Sequence, residues 1–173
     1  MYIRKASSND MEQIMDLYQM GRDYQRQVLN IIQWEDNYPS AQDLLGDIRD
    51  EQSYVVVDGD EEVDTTPSDE TIIGTFFVQK GPDKVYFPLK KCWEKPEAIV
   101  TIHRVASHSG YKGVGNFIFT WLKKHCSNIM IDTHPQNDVM KYLIQKYEFI
   151  YLGVVTLEKG GLRNTYQWVK GAI

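Results

Sequence analysis

Val105-Ala106-Ser107-His108-Ser109-Gly110-Tyr111-Lys112-Gly113-Val114-Gly115-Asn116 is the stretch on which the fold turns. A strand from Ala98 to Ala106, with Ile99, Val100, Ile102 and Val105, ends here. A glycine-spaced loop follows and a helix starts at once. Val114, Phe117, Ile118, Trp121 and Leu122 recur at i, i+3, i+4, i+7 and i+8, the spacing of one helical face. The first-turn N–H groups of such a helix have no intrahelical partner, and with the helix dipole they form an anion site. Gly113 and Gly115 let a phosphate approach the backbone, and Lys112 adds a point charge. A pyrophosphate is the natural ligand of this cradle. A tight turn that only joins strand to helix is the other reading.

Outward from the loop the periods change in a definite order. Tyr2 to Lys5 reads as a strand, and Asn9-Asp10-Met11-Glu12 as a capping box before a helix carrying Met11, Ile14, Met15 and Tyr18. A second helix is expected from Asp23 to Gln33 with Tyr24, Val28, Leu29 and Ile32 on one face. A third is expected after Ser40, with Asp43 completing its cap. Tyr54 to Val57 and Ile72 to Val78 read as a hairpin with a long tip. Lys84 to Glu97 contains Pro88 and Pro96 and reads as irregular structure or a short edge strand. Asn128 to Thr133 is a strand, Asn137 to Lys146 a helix, and Phe149 to Leu157 and Thr165 to Val169 are closing strands around a Gly160-Gly161 turn. The expectation is an α/β fold, a mixed sheet with helices on both faces, in a single domain spanning 1–173.

Composition excludes several classes. The chain has 173 residues, 42% hydrophobic and 25% charged, which suits one globular domain. No apolar run reaches the roughly 20 residues of a membrane span. Seven of the 24 acidic residues fall between Asp58 and Glu70; without them 19 basic residues face 17 acidic ones. We read the acidic tip as solubilising. No basic stripe points to nucleic acid, and no membrane association is expected. Cys92 and Cys126 make neither a disulfide framework nor a CxxC pair, which favours a cytoplasmic setting. His103, His108, His125 and His134 have no metal-ligand spacing, so no metal is expected. The loop is not a Walker A sequence, which needs Gly-Lys-Ser/Thr, and its glycine spacing is not that of a dinucleotide fingerprint.

A strand, then [Gln/Arg]-x-x-Gly-x-[Gly/Ala], then a helix resembles the signature of the GNAT superfamily of acetyl-CoA-dependent N-acetyltransferases. It stands here as Gly110-Tyr111-Lys112-Gly113-Val114-Gly115. Ile3-Arg4-Lys5-Ala6 with the helix at Asp10 is similar to the family's opening strand and helix. Asn137-x-x-Met140-x-x-Leu143, with Lys146 and Phe149, is similar to its C-terminal element. His103-Arg104-Val105-Ala106, Asp132-Thr133-His134 and Arg163-x-x-Tyr166 resemble an uncharacterised bacterial subgroup of the family.

The resemblance implies a mostly antiparallel sheet with a splayed central strand pair carrying Val105 and Ile131, the thioester lying in the gap. It implies acetyl-CoA as acetyl donor and direct transfer to a primary amine of a small molecule or peptide, with a homodimer open to the chain. Backbone amides of the Gly110, Tyr111, Lys112, Gly113, Val114, Gly115 and Asn116 stretch would hold the cofactor pyrophosphate. The backbone of Val105 and Ala106 would pair with the pantetheine arm, and Asn137 would hydrogen-bond it. Three positions depart from the pattern: Gly110 stands where the family has Gln or Arg, Ile144 where it has a tyrosine that protonates the leaving thiolate, and Glu148 where it has a glycine before the final Phe; the turn between Ala106 and Gly113 is also shorter than usual. A CoA- or anion-binding module without catalysis is the alternative.

Amine acetylation needs a neutral amine, and near pKa 10 only about one molecule in a thousand is neutral at pH 7. His103 is the first candidate base, because an imidazole titrates near neutrality and its strand should line the cleft. His134 is the second, with Asp132 to orient it. Each has a plainer reading: His103 as a half-buried strand residue, and Asp132-Thr133-His134 as a strand-end turn. Trp34 and Tyr38, with Tyr24, Tyr86 and Trp93, are candidates for an aromatic acceptor pocket or for ordinary packing.

Overall fold

The computed structural model describes residues 1–59 and 70–171. Residues 60–69, most of the acidic segment 58–70, lie outside the described residues. The strands β1 (Tyr2–Lys5), β2 (Ser53–Val57), β3 (Ile72–Lys80), β4 (Ile99–Ser107), β5 (Asn128–Thr133), β6 (Ile150–Thr156) and β7 (Leu162–Val169) form one seven-stranded sheet in the order β1-β2-β3-β4-β5-β7-β6. The β1–β2, β2–β3, β5–β7 and β6–β7 pairs are antiparallel and the β4–β5 pair is parallel. The chain divides into two compact units, Met1–Val78 with Arg104–Gly115, and Gln79–His103 with Asn116–Ile173.

In the first unit β1 (Tyr2–Lys5) pairs with β2 (Ser53–Val57), and β2 with β3 (Ile72–Lys80). Helix α1 runs from Met11 to Gln27 and α2 from Ala41 to Arg49. Ile14, Leu17 and Tyr18 of α1 and Leu44 of α2 bury against Val55, Val57, Ile72 and Ala106. Ser40 caps α2 as expected: its hydroxyl oxygen accepts from the Asp43 N–H at 3.1 Å, and its own N–H donates to Asp43 Oδ2 at 2.8 Å.

Two expectations are corrected here. The reciprocal cap near the N-terminus is Ser7 with Asp10, not Asn9 with Glu12: the Ser7 N–H donates to Asp10 Oδ2 at 2.6 Å. The second helix does not form. The N–H groups of Val28 and Leu29 both donate to the Tyr24 carbonyl, and Asn30 enters the left-handed region at φ 52°, which ends α1. Val28 and Ile32, expected on one helical face, are 62% and 68% exposed, while Ile31 and Trp34 turn into the core.

Asp10 is fully buried and also takes both terminal N–H groups of Arg4 at 2.8 Å. Burial pushes its carboxyl up, but the Arg4 bonds and the Ser7 amide outweigh this and hold it below the ordinary value. A depressed folded pKa contributes stability that is present above the unfolded value of about 3.9 and lost as pH falls through the folded one. Asp10→Asn should therefore lower the melting temperature at pH 7 and flatten its decline below pH 4, as read by thermal denaturation across pH. An acid limb parallel to that of the parent would contradict this.

The second unit holds the first part of β4 (Ile99–Ser107), most of α3 (Val114–His125), β5 (Asn128–Thr133), α4 (Asp138–Lys146), β6 (Ile150–Thr156) and β7 (Leu162–Val169). Its sheet face carries Ile99, Met130 and Val155, packed with Tyr86, Leu89 and Trp93. Those last three belong to or follow a 3-10 stretch, Lys84–Cys92, where the sequence suggested irregular chain or an edge strand. Pro88 is tolerated inside it. Gly153 of β6 lies under that stretch with φ 149°, and a Cβ there would also press on Leu89 Cδ2 at 2.9 Å. On α3 the buried face includes Phe119, which the spacing placed outside. Phe117 and Trp121 are only half-buried, and Trp121 stacks on His125.

Candidate active site

The first unit builds the glycine loop on a strand defect. Arg104 has φ 55°, in the left-handed region that costs a non-glycine residue about 1–2 kcal/mol. Its side chain is held there from several sides. It pairs with Asp47 of α2, its Nε donates to the Tyr38 hydroxyl at 3.1 Å, and its guanidinium lies 4.8 Å from the centre of the Phe77 ring. Past this defect the His108 N–H returns to β3, donating to the Ile73 carbonyl at 2.9 Å.

The loop then turns on His108. The Gly110 N–H donates to His108 Nδ1 at 3.0 Å, and the Tyr111 N–H to the His108 carbonyl at 3.1 Å. These two amides, expected among the cofactor contacts, are used within the turn. A Cβ at Gly110 would sit 3.2 Å from the His108 ring, a tight contact within this turn. Lys112 and Gly113 are exposed, and Gly113 has φ 84° with open space where a Cβ would stand. Val114 begins α3 and is buried against Gly74 of β3, where a Cβ would come within 2.6 Å of Val114 Cγ1. A glycine in β3 thus seats the first turn of α3. The amides of Val114, Gly115 and Asn116 begin that helix, where they have no intrahelical partner. Val105 is half-buried and Ala106 buried on the strand before the loop.

The second unit gathers ionisable groups at the ends of β4 and β5. Their parallel register ends at Ile102↔Ile131, so His103 and Asp132 come next on the two strands. His103 Nε2 lies 3.2 Å from Asp83 Oδ2. Asp83 is fixed in turn: its N–H donates to Thr101 Oγ1 at 3.2 Å and its Oδ1 accepts from the Val85 N–H at 3.0 Å. The nearness of His103 is the main reason the Asp83 carboxyl titrates low. Asp132 is engaged elsewhere. It accepts from the fully buried Tyr86 hydroxyl at 2.5 Å and lies 3.6 Å from Arg163 Nε. Burial, and then the Asp132 charge, push the Tyr86 phenol well above its usual value. His134 Nδ1 accepts from the Gln136 N–H, and burial followed by Arg163 lowers its proton affinity.

Asn137 is the cap of α4, its Oδ1 accepting from the Met140 N–H at 3.1 Å. Asn116 is tied to the end of the same helix: Lys146 Nζ donates to its side chain at 2.7 Å and the Tyr147 hydroxyl to its carbonyl at 2.8 Å. Ile144, at the family tyrosine position, is buried. A cavity of about 500 Å³ beside α4, lined by Lys141, Tyr142, Phe149 and Tyr166 among others, contains none of the expected site residues.

Trp34 is corrected from pocket wall to core. It is 6% exposed, packs edge-on to Tyr18 at 5.7 Å, and fits because Gly21 leaves room for its ring. Tyr38 remains exposed on one side and braces Arg104. Asp83, Tyr86 and Arg163 were not singled out as chemical groups from sequence. Their partners are 20 to 46 residues away along the chain for the first two and 31 for the third, and no local spacing signals them. Among the described residues no group of three His, Cys, Asp or Glu side chains could hold a metal ion, and no helix is long and apolar enough to cross a membrane.

Neither a family model nor a curated protein matches the chain. Solved structures do. A GNAT-family acetyltransferase from Streptococcus agalactiae superposes with a TM-score of 0.80 at 24% identity, over 99% of this chain and 96% of that one. A GNAT-family acetyltransferase from Listeria monocytogenes gives 0.63 at 15% identity, over 97% and 94%. The NatC complex bound to Gag peptide and CoA gives 0.60 at 16% identity, over 97% of each chain. The chain has the fold of the GNAT acetyltransferases.

Proposed function

We propose that the protein is an N-acetyltransferase that moves an acetyl group from acetyl-CoA directly to a primary amine. The observation that carries this reading is the loop at Lys112–Asn116: exposed chain at Lys112 and Gly113, a left-handed glycine with open space above it, and a helix start seated by Gly74. The fit is to a pyrophosphate, held by the amides of Lys112, Gly113, Val114, Gly115 and Asn116 with Lys112 as countercharge. A likeness in fold to a complex that binds CoA and a peptide supports the same ligand class. When bound, acetyl-CoA supplies an activated thioester.

The chain's own residues then bind and orient. The backbone of Val105 and Ala106, just past the Arg104 defect, offers strand-like pairing to an extended arm. Asn137 contacts that arm as well as capping α4. His103 accepts the amine proton, with His134 as the second candidate. We take residues 1–173 as one cytoplasmic domain acting on a small-molecule or peptide amine, able to form a homodimer. Gly110 and Ile144 favour a second reading, CoA binding without catalysis.

Thiol release from acetyl-CoA with a panel of polyamines, aminoglycosides, amino acids and peptide N-termini tests the activity. His103→Ala and His134→Ala should both lose turnover by roughly 100-fold or more with acetyl-CoA binding intact. Full activity in both would sink the assignment of these bases.

A further inference from the structure

Helix α4 covers only part of the sheet face beneath it. Its residues line the cavity of about 500 Å³ together with Tyr166 of β7. The register sets Tyr151 opposite Tyr166, Val154 opposite Asn164 and Thr156 opposite Leu162, so these side chains share the face of Tyr166. Tyr151, Val154 and Leu162 are exposed there, and so are Val139 and Tyr142, one turn apart on α4. Each of the five keeps roughly half of its surface in water. β6 ends the sheet, and apart from a register shift between Tyr151 and Gly153 it is an unguarded edge: Ile150–Thr156 contains no charged residue and no proline. Asp138 and Lys141 pair with each other at 2.8 Å, so the cavity lining brings no net charge to a contact.

We propose that this face is the contact between two copies of the chain: the outer side of α4 of each copy lies on the bare β6–β7 face of the other. The two apolar surfaces adjoin within one copy and cannot cover each other there, whereas a two-fold axis beside the groove brings each onto its complement. A sheet buries its apolar face against another layer, and the partner's α4 supplies that layer. Five half-exposed side chains of this size offer on the order of 500 Å². With Tyr166, Asn164 and Lys141, half-buried beside them, the face approaches the roughly 800 Å² that a standard interface takes from each partner. The contact needs no cofactor, so it holds or fails apart from the transferase reading.

Sedimentation equilibrium of the full chain tests the pairing. The parent should be dimeric at about 50 µM, well above a micromolar dissociation constant. Tyr142→Lys and Val154→Glu each put an unpaired charge into the contact and should raise the dissociation constant about 100-fold or more, leaving monomers with parent-like far-UV circular dichroism. Mixed in equal amounts, the two variants should recover a heterodimer, because the new ammonium on one α4 meets the new carboxylate on the other β6. Ile150→Glu should leave the dimer intact, because Ile150 pairs with Gln167 and so points to the other side of the sheet. A monomeric parent overturns the proposal, and binding of a hydrophobic dye to that monomer, lost in Val154→Glu, would give the face to a different partner. A dimer that survives both Tyr142→Lys and Val154→Glu, or that Ile150→Glu dissolves, overturns the face. Monomeric variants that fail to pair when mixed overturn the seating of α4 on β6.

Discussion

Arg104→Ala should cost about 3–5 kcal/mol of unfolding free energy, the largest effect of any single substitution expected here. The guanidinium and the Asp47 carboxylate are 13% and 11% exposed, so truncation leaves a carboxylate largely out of water without its partner. The Phe77 and Tyr38 rings lose the cation stacked over them as well. The backbone at φ 55° makes the comparison sharper. Arg104→Gly removes the same side chain but relieves the left-handed strain, so it should be about 1 kcal/mol less damaging than Arg104→Ala. Replacing both partners, Arg104→Met with Asp47→Leu, should recover most of the loss, since no charge is then left buried. Urea unfolding of the four proteins measures this. A loss under 1 kcal/mol in Arg104→Ala would mean that the strand defect is held by something other than this clamp.

Gly113→Val should weaken acetyl-CoA binding by about 100-fold, or roughly 2.7 kcal/mol. Two causes add. Valine is costly at φ 84°, and its side chain would occupy the open space through which a phosphate reaches the amides. Nothing in the protein lies within 4 Å of a Cβ at this position, so folding stability should fall only by the backbone strain of about 1–2 kcal/mol. Calorimetric titration of a folded Gly113→Val protein separates the two. Unchanged affinity would remove the loop from the cofactor site and leave it a turn.

The sequence made the local features readable and the long-range ones not. The helix after the glycine loop, the Ser40–Asp43 cap and the strand alternation depend on neighbours within four residues, and all of them form. Helix α1 was misjudged because Tyr24, Val28 and Ile32 have a helical period, yet Asn30 breaks the chain and lets Ile31 and Trp34 reach the core. The 3-10 stretch was illegible because its order comes from Tyr86 bonding Asp132, a contact 46 residues away. The loop glycines offered, from their spacing alone, either a phosphate cradle or a plain turn. Gly74 could not: its purpose, seating Val114, is visible only when β3 and α3 are brought together. His103 and His134 stood out by residue type, but their neighbours in the fold did not. Asp132 stood next to His134 in sequence and belongs to Tyr86 and Arg163, and Asp83 stood in an ordinary Gly-Pro-Asp turn and belongs to His103.

Thermal denaturation with acetyl-CoA, CoA and NADH as separate ligands addresses the cofactor most directly. A ligand at a hundred times its dissociation constant stabilises by about 2.7 kcal/mol, well within detection. Stabilisation by acetyl-CoA and CoA but not by NADH is the predicted result. No shift at saturating acetyl-CoA, or an equal shift with NADH, would contradict the account.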